Sequence, residues 1–280
     1  MLNVRKAKHG WVLTLIFSLI SIAYIMPIVI VLMNSFKRKI FISNRPFALP
    51  DAKSFVKIEN YINGIQKTDF FRAFGYTLFI TVGSVFVIVL CTSMCAWYIS
   101  RVKNKWTTGI YYLFAFSMIV PFQMVMFTLS KIADMLHLGN PVGIIIVYLG
   151  FGAGLAVFMF CGFVRSIPLE IEESAMIDGC NPVQTYFKIV FPIMKPTAIS
   201  VAILETMWVW NDYLLPYLVL KINKYKTIQI AIQYLKGGYG AIDMGAMMAM
   251  IVLAIIPIIL FYGFCQKYII EGVISGAVKG

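Results

Sequence analysis

Residues 141–164 have the sequence PVGIIIVYLGFGAGLAVFMFCGFV, and the first charged side chain after them is Arg165. This run holds the ~20 consecutive apolar residues that an α-helix needs to cross a bilayer. A helix satisfies its backbone hydrogen bonds within one segment, as the interior of a lipid bilayer requires. The run therefore predicts a transmembrane helix.

Further apolar runs of similar length lie between charged residues along the chain. They cover residues 11–36, 73–100, 106–130, 197–220 and 244–266. The run at 197–220 contains Glu205 and Asp212, whereas the others carry no charge. The chain is therefore predicted to be an all-α polytopic membrane protein, a single transmembrane domain over residues 1–280 with six transmembrane helices.

The composition supports this interpretation. Hydrophobic residues make up 60% of the 280 residues and charged residues only 13%, whereas an ordinary soluble domain has about 25% charged residues. A soluble enzyme, a secreted disulfide-linked domain and a disordered tail are thereby excluded. The formal net charge is +12, but the Lys and Arg residues lie almost wholly between the apolar runs. Membrane lipids and partner subunits, rather than nucleic acid, are the expected binding partners.

The first apolar run follows a basic segment with Arg5, Lys6 and Lys8, as in a signal peptide. The run is longer than the ~15-residue limit of a signal peptide, so we predict a retained helix. Six spans then place both termini in the cytoplasm of a multi-pass protein of the cell (plasma or inner) membrane. The basic loop 34–71 would lie outside, against the positive-inside rule, but long loops carry less weight in that rule.

Catalytic motifs are missing from the sequence. There is no phosphate-binding Gly-x-x-x-x-Gly-Lys-[Ser/Thr] loop and no His-Glu-x-x-His zinc motif. The two histidines, His9 and His137, lie in the N-terminal tail and in a loop. We therefore expect no catalytic residues, no metal site and no cofactor.

The polar loop at residues 165–196 predicts two short helices that meet at a glycine. Ser166 can cap the first helix, and Pro168 suits its first turn. Gly179 provides a left-handed stop, and Asn181-Pro182 can cap and begin a second helix over 183–190. Three acidic residues favour the N-terminus of the first helix: Glu170, Glu172 and Glu173. The loop is either a solvated connector or a rigid segment that transmits force.

The same loop carries a motif of known spacing. Glu173-Ser-Ala, three residues, Gly179, nine residues and Ile189-Val-Phe-Pro192 resemble the EAA loop of importer-type ABC permeases, Glu-Ala-Ala-x3-Gly-x9-Ile-x-Leu-Pro. Ser174 replaces the first alanine and Phe191 the leucine. The segment WNDYLLP at 210–216 is similar to that of the carbohydrate-uptake family. The turn NSFK at 34–37 and the C-terminal residues 268–280 also resemble that family, so the likeness covers nearly the whole chain.

This resemblance implies that the chain works in a complex with three kinds of partner protein. The EAA loop would be a coupling helix that docks into a cleft of a cytosolic ABC ATPase dimer, which hydrolyses the ATP. A second, homologous permease subunit would form a heterodimer with this chain, and an extracytoplasmic sugar-binding protein would face the loop 222–242. The C-terminal tail, ending at Lys279-Gly280, would reach the ATPase. The implied ATPase-docking residues are Glu173, Ser174, Ala175, Asp178 and Gly179.

The fifth apolar run carries polar residues on one predicted helical face. Glu205, Trp208 and Asp212 are spaced at i, i+3 and i+7, with Asn211 beside them. Carboxylates and amides can bond sugar hydroxyls, and an indole provides an apolar wall. These four residues are candidates for a substrate pathway. The alternative is a structural role, in which Glu205 bonds a neighbouring helix and Asp212 is solvated.

Three functional hypotheses follow. The leading one is a permease subunit of an ATP-driven importer of di- or oligosaccharides that works by alternating access through the helix at 170–179. The second is an ion-coupled secondary transporter in which Glu205 and Asp212 relay a proton or cation. An intramembrane hydrolase is disfavoured because no histidine stands in an apolar run beside a serine.

Overall fold

The computed structural model describes the backbone of residues 10–235 and 242–277, and side chains as far as Tyr268. The basic residues Arg5, Lys6 and Lys8, His9, and the tail at Lys279-Gly280 lie outside the described residues. The predicted all-α fold is confirmed, since helices account for the regular structure of the described chain. In chain order these are α1 Gly10–Asn34, α2 Lys39–Asn44, α3 Glu59–Thr68, α4 Phe70–Arg101, α5 Lys105–Ser117, α6 Phe122–Met135, α7 Gly143–Val164, α8 Leu169–Ile177, α9 Pro182–Thr185, a π-helical turn Tyr186–Val190, α10 Phe191–Ile193, α11 Lys195–Asn211, α12 Leu214–Val219, α13 Ile228–Tyr234 and α14 Met244–Ala277.

Four of these helices are long and apolar enough to cross a bilayer: α1, α4, α7 and α14. Two further apolar segments are bent, by 108° between α5 and α6 and by 74° between Pro182–Ile193 and α11. The described chain therefore has up to six candidate spans if each bent pair counts as one.

The run at 106–130 is not the single helix that its composition suggests. Helix α5 ends at Ser117, and α6 begins at Phe122 directly after Pro121. Pro121 has an extended backbone (φ −62°, ψ 135°) and no amide hydrogen to continue the helix. A proline also disfavours the helical conformation of the residue before it, so the break falls where the sequence has its proline.

The run at 197–220 is also divided. Helix α11 begins at Lys195 and ends at Asn211, and Asp212 is extended (φ −73°, ψ 127°) before α12 begins. The Oδ1 atom of Asp212 accepts hydrogen bonds from the amides of Leu214 (3.0 Å) and Leu215 (3.3 Å). Asp212 thus satisfies free amides at the start of α12, as a capping residue does. The prediction that Asp212 lies on one helical face with Glu205 and Trp208 is wrong.

The described residues of 71–231 and 258–277 form one compact unit, and its buried core is centred on α7. Tyr148 and Phe160 of α7 are completely buried. Gly154 lets α5 approach closely, because a Cβ atom there would lie 2.7 Å from Ser117 Oγ and 3.1 Å from the carbonyl oxygen of Phe114. Gly154 therefore serves helix packing in the most apolar stretch of the sequence.

The other unit is formed by the described residues 10–70, 232–235 and 242–257. Its turn after α1 is held by Asn60, whose Nδ2 donates to the carbonyl oxygens of Ser35 (2.8 Å) and Lys37 (2.9 Å). Lys37 is buried and its Nζ donates to the carbonyl oxygen of Arg45 (3.2 Å). Burial lowers the pKa of the Lys37 ammonium, and the Asp51 carboxylate partly offsets this. The NSFK turn thus has a structural role in this unit.

The start of α7 provides a test of the packing. A methyl group on Gly143 would overlap the backbone of Leu138, while a methyl group on Gly150 of the same helix would meet no atom within 4 Å. We expect Gly143→Ala to destabilise the purified protein by about 1–3 kcal/mol, as overpacking does. Thermal unfolding in detergent measures this, with Gly150→Ala as the matched control. Equal midpoints for the two variants would contradict the close packing.

Candidate functional site

The polar loop at 165–196 forms an elbow of two helical halves. Helix α8 begins after Pro168, and no side chain caps it. The predicted cap is wrong, because Ser166 Oγ donates to the carbonyl oxygen of Phe163 in the preceding helix instead (2.7 Å). We call residues 169–190 the elbow below.

Gly179 ends the first half in the left-handed conformation that its position predicts, with φ of +86°. Its amide donates to the carbonyl oxygen of Met176 (3.0 Å), and the amide of Cys180 donates to that of Ala175 (3.0 Å). This pair of bonds is the Schellman motif, which satisfies the last carbonyl groups of a helix. A residue with a Cβ atom adopts this φ only at an energetic cost.

The second half begins at Asn181-Pro182 as predicted. The Oδ1 atom of Asn181 accepts from the amide of Gln184 (2.9 Å), and Gln184 Oε1 accepts from the amide of Asn181 (3.0 Å). This reciprocal capping box fixes the start of the helix. The helix predicted over 183–190 is a four-residue α-helix followed by the π-helical turn. Pro192 has no amide hydrogen with which to continue the α-helical spacing.

Glu172 anchors the elbow to α4. It is only 1% exposed, and its carboxylate accepts hydrogen bonds from Trp97 Nε1 (2.9 Å) and Arg101 Nε (2.8 Å). Arg101 also donates to the carbonyl oxygen of Ile167 (3.0 Å). From the sequence, Glu172 is expected only to favour a helix N-terminus, and its buried ion pair is not predicted. The sequence feature that could have indicated this anchor is the spacing of Trp97 and Arg101, which lie one turn apart at the end of α4 on the same side of the helix.

Tyr186 anchors the second half of the elbow to the same helix. Its side chain is 1% exposed, and its hydroxyl lies 2.6 Å from Ser93 Oγ of α4. Its ring also packs against Trp97, with the ring centroids 5.4 Å apart. Both halves of the elbow are therefore fixed to α4 by buried polar contacts.

The predicted docking residues divide by exposure. Glu173, Ser174, Asp178 and Gly179 are exposed, whereas Ala175 is buried within the chain. Ala175 therefore packs inward and is not part of the surface that a partner would contact. Six large apolar side chains that the sequence motif does not single out are also exposed on the elbow: Leu169, Ile171, Met176, Ile177, Val183 and Phe187.

A cavity of about 310 Å³ surrounds Glu205 between α5, α6, α7 and α11. Glu205 is 2% exposed, and its Oε2 atom has no hydrogen-bond partner. Gly152 makes room for it, since a Cβ atom there would lie 2.9 Å from that oxygen. Trp208 forms another wall, and Phe122 and Phe151 add apolar surface.

The structure brings together only part of the predicted substrate pathway. Glu205 and Trp208 line one cavity, and Trp208 packs edge-on against Tyr148 with ring centroids 5.3 Å apart. The hydroxyl of Tyr148 donates to Asp212 Oδ2 (3.1 Å). Asn211 is exposed, and its Nδ2 donates to the carbonyl oxygen of Met207 (2.7 Å). Neither Asp212 nor Asn211 lines the cavity.

This geometry, with apolar helices around a cavity that contains a buried carboxylate, is that of a helical membrane protein. The family model of the binding-protein-dependent transport system inner membrane component matches residues 88–275. The chain therefore belongs to this family and is a membrane-embedded transport subunit.

Curated relatives match along the full length. The chain is 36% identical to the "Probable starch degradation products transport system permease protein AmyC" of Thermoanaerobacterium thermosulfurigenes, over 99% of this chain and 100% of that one. It is 31% identical to the multiple sugar-binding transport system permease MsmG of Streptococcus mutans, over 100% of both. These relatives confirm the resemblance to ABC permeases and the expectation of a transport subunit rather than an enzyme.

A solved structure shares the fold. A bacterial ABC transporter that imports the acidic polysaccharide alginate superposes with a TM-score of 0.77 at 22% identity, over 92% of this chain and 95% of that one. The fold of this chain is therefore that of an ABC importer permease.

The Glu172 anchor provides the second test. Glu172→Gln keeps the shape of the side chain but leaves Arg101 without its counter-charge, and removing one partner of a buried pair costs about 3 kcal/mol or more. We expect a lower thermal midpoint and faster proteolysis within 169–190. Glu173→Gln, at the exposed neighbouring position, is the matched control. The anchor would be refuted by identical midpoints and cleavage rates in the two variants.

Proposed function

We propose that this chain is the permease subunit of an ATP-driven importer of di- or oligosaccharides. The observation that carries the proposal is the full-length similarity to permeases named for sugars, AmyC and MsmG. Membership in a binding-protein-dependent family adds that a separate extracytoplasmic protein delivers the sugar.

The elbow has the properties that coupling to an ATPase requires. Its exposed side presents Glu173, Asp178 and the apolar Ile177 to a partner. Its buried side is fixed to α4 through Glu172 and Tyr186. ATPase closure would therefore move the elbow and α4 together and switch the spans between outward-open and inward-open states. Ser174 and Gly179 complete the proposed docking surface.

The partners follow from the same assignment. A cytosolic ABC ATPase dimer hydrolyses ATP, and a second homologous permease completes the pathway as a heterodimer. The most apolar stretch of α1 is not buried by the rest of the described chain, so lipid or the second permease covers it. Both termini lie in the cytoplasm, and the elbow faces the same side.

The cavity at Glu205 is the proposed sugar contact of this subunit. Trp208 offers an apolar wall for a sugar ring, and the unpartnered oxygen of Glu205 accepts a hydroxyl hydrogen bond. Asp212 supports the cavity indirectly because it holds the Tyr148 ring against which Trp208 packs. Asn211 is the fourth residue of the proposed sugar pathway, and it lies outside the cavity at the exposed end of α11.

Substitution of Gly179 tests the coupling. No atom of this chain would lie within 4 Å of a new Cβ atom, so within this chain the effect of a side chain there comes from the backbone alone. A left-handed conformation costs an ordinary residue roughly 1–2 kcal/mol. We expect Gly179→Val to reduce ATP-driven uptake by about fivefold or more, whereas Gly179→Asn retains most activity because asparagine tolerates this φ.

The measurement is sugar uptake and sugar-stimulated ATP hydrolysis by the complete complex in liposomes. Undiminished uptake and stimulation in Gly179→Val would refute coupling through the elbow. Uptake by the chain without any ATPase, abolished by collapse of the proton gradient, would support the ion-coupled alternative that uses Glu205 and Asp212.

Substitutions in the cavity test the sugar contact. We expect Trp208→Ala to raise the sugar concentration for half-maximal uptake about fivefold, since an aromatic contact contributes roughly 1 kcal/mol. Glu205→Gln should also raise it, whereas Asp212→Asn should chiefly lower the thermal midpoint, because Asp212 caps α12. Trp11→Ala, on the exposed surface of α1, is the control. Unchanged uptake in both cavity variants would remove them from the pathway.

A further inference from the structure

A second cavity, of about 510 Å³, lies between the end of α4, the start of α5 and the end of α7. Arg101 lines it and at the same time binds Glu172 of the elbow, so the cavity and the elbow share one end of this unit. The volume lies in the ~300–1,000 Å³ range of small-molecule sites. Neither the transport pathway nor the elbow surface uses it.

The cavity is positively charged. Arg101, Lys103 and Arg165 line it, and none of its described lining residues is acidic. Arg101 is balanced by Glu172. Lys103 and Arg165 are exposed, and no described carboxylate forms an ion pair with either. The charges of these two side chains are therefore available to an anion.

Arg165 is held in position for such an anion. Its guanidinium lies over the ring of Tyr111, 4.8 Å from the ring centroid. A cation–π contact of this kind orients the guanidinium without neutralising it. The planar guanidinium can then donate two parallel hydrogen bonds to phosphate oxygens, and Lys103 adds a mobile point charge.

The surroundings of the cavity favour a lipid over a soluble anion. Trp106 is 83% exposed and Tyr112, on the cavity wall, is 66% exposed. Exposed tryptophan and tyrosine are typical of the headgroup level of a membrane. Beyond them, α5 exposes a continuous apolar surface suited to acyl chains, formed by Ile110, Leu113 and Phe116.

We propose that this cavity binds the phosphate of an anionic phospholipid, whose acyl chains lie along α5. Basic pockets between transmembrane helices recognise such headgroups, and each basic residue near the membrane surface contributes about 1 kcal/mol. The leaflet from which the lipid comes depends on the topology in the proposed function. Lipid binding does not depend on that topology, so it can be measured without any transport step.

The test is native mass spectrometry of the full-length chain in its purified complex. The complex is equilibrated with phosphatidylglycerol or phosphatidylcholine of the same acyl chains. We expect preferential retention of phosphatidylglycerol. The double variant Lys103→Gln, Arg165→Gln should lower the affinity for phosphatidylglycerol about 30-fold, since two contributions of about 1 kcal/mol are lost.

The controls separate the site from general charge and from folding. Lys131→Gln with Lys195→Gln removes the same charge at exposed positions elsewhere and should leave the preference unchanged. Lys103→Gln alone preserves the Arg165–Tyr111 contact and should show a partial loss in a folded protein. Arg165→Lys keeps the positive charge but not the paired hydrogen-bond donors. Its retention of phosphatidylglycerol should therefore lie between that of the wild type and that of Arg165→Gln.

Three results would overturn the proposal. They are equal retention of both lipids by the wild-type complex, an unchanged preference in the double variant, and displacement of phosphatidylglycerol by inorganic phosphate at comparable concentration. The last result would identify a site for a soluble anion instead.

Discussion

A buried negative charge on Glu172 sets the position of the elbow. An ion removed from water costs several kcal/mol unless charged and hydrogen-bonding partners replace the solvent. Here Trp97 and Arg101 supply those partners, and both project from the end of α4. The elbow therefore cannot shift relative to α4 without exposing or unpairing that charge. Tyr186 repeats the constraint on the second half, so the exposed surface of the elbow rests on a rigid support.

Among the described residues, Glu172 and Glu205 are glutamates with buried side chains, and their carboxylates are satisfied differently. Both oxygens of Glu172 are paired, whereas Oε2 of Glu205 has no partner and Gly152 keeps space open beside it. Buried polar groups in folded proteins are nearly always satisfied, so the free oxygen of Glu205 remains available to a hydrogen-bond donor. The paired glutamate is a structural group, and the unpaired one is suited to contact water or a ligand hydroxyl in the cavity.

Features that depend on local chemistry were predictable from the sequence. Four of the apolar runs form continuous helices as expected, whereas the runs at 106–130 and 197–220 are divided. Gly179 forms the expected left-handed stop, and Asn181-Pro182 begins the second half of the elbow as expected. Features that depend on distant residues were not. The inward packing of Ala175 and the pairing of Glu172 require α4 to lie beside the elbow, and no spacing within the loop encodes that. The helix break at Asp212 was not expected, because the apolar run resumes at Tyr213 directly after Asn211 and Asp212.

Arg101 connects the elbow with the basic cavity because it belongs to both. Its guanidinium binds Glu172 and the carbonyl oxygen of Ile167, while the same side chain forms part of the cavity wall. Since Glu172 already neutralises it, the attraction of an anion to the cavity depends on Lys103 and Arg165. An anion bound there would nevertheless lie close to the Glu172 carboxylate, and like charges repel. The ion pair at Arg101 is therefore what allows an acidic group of the elbow and an anionic headgroup to occupy neighbouring sites.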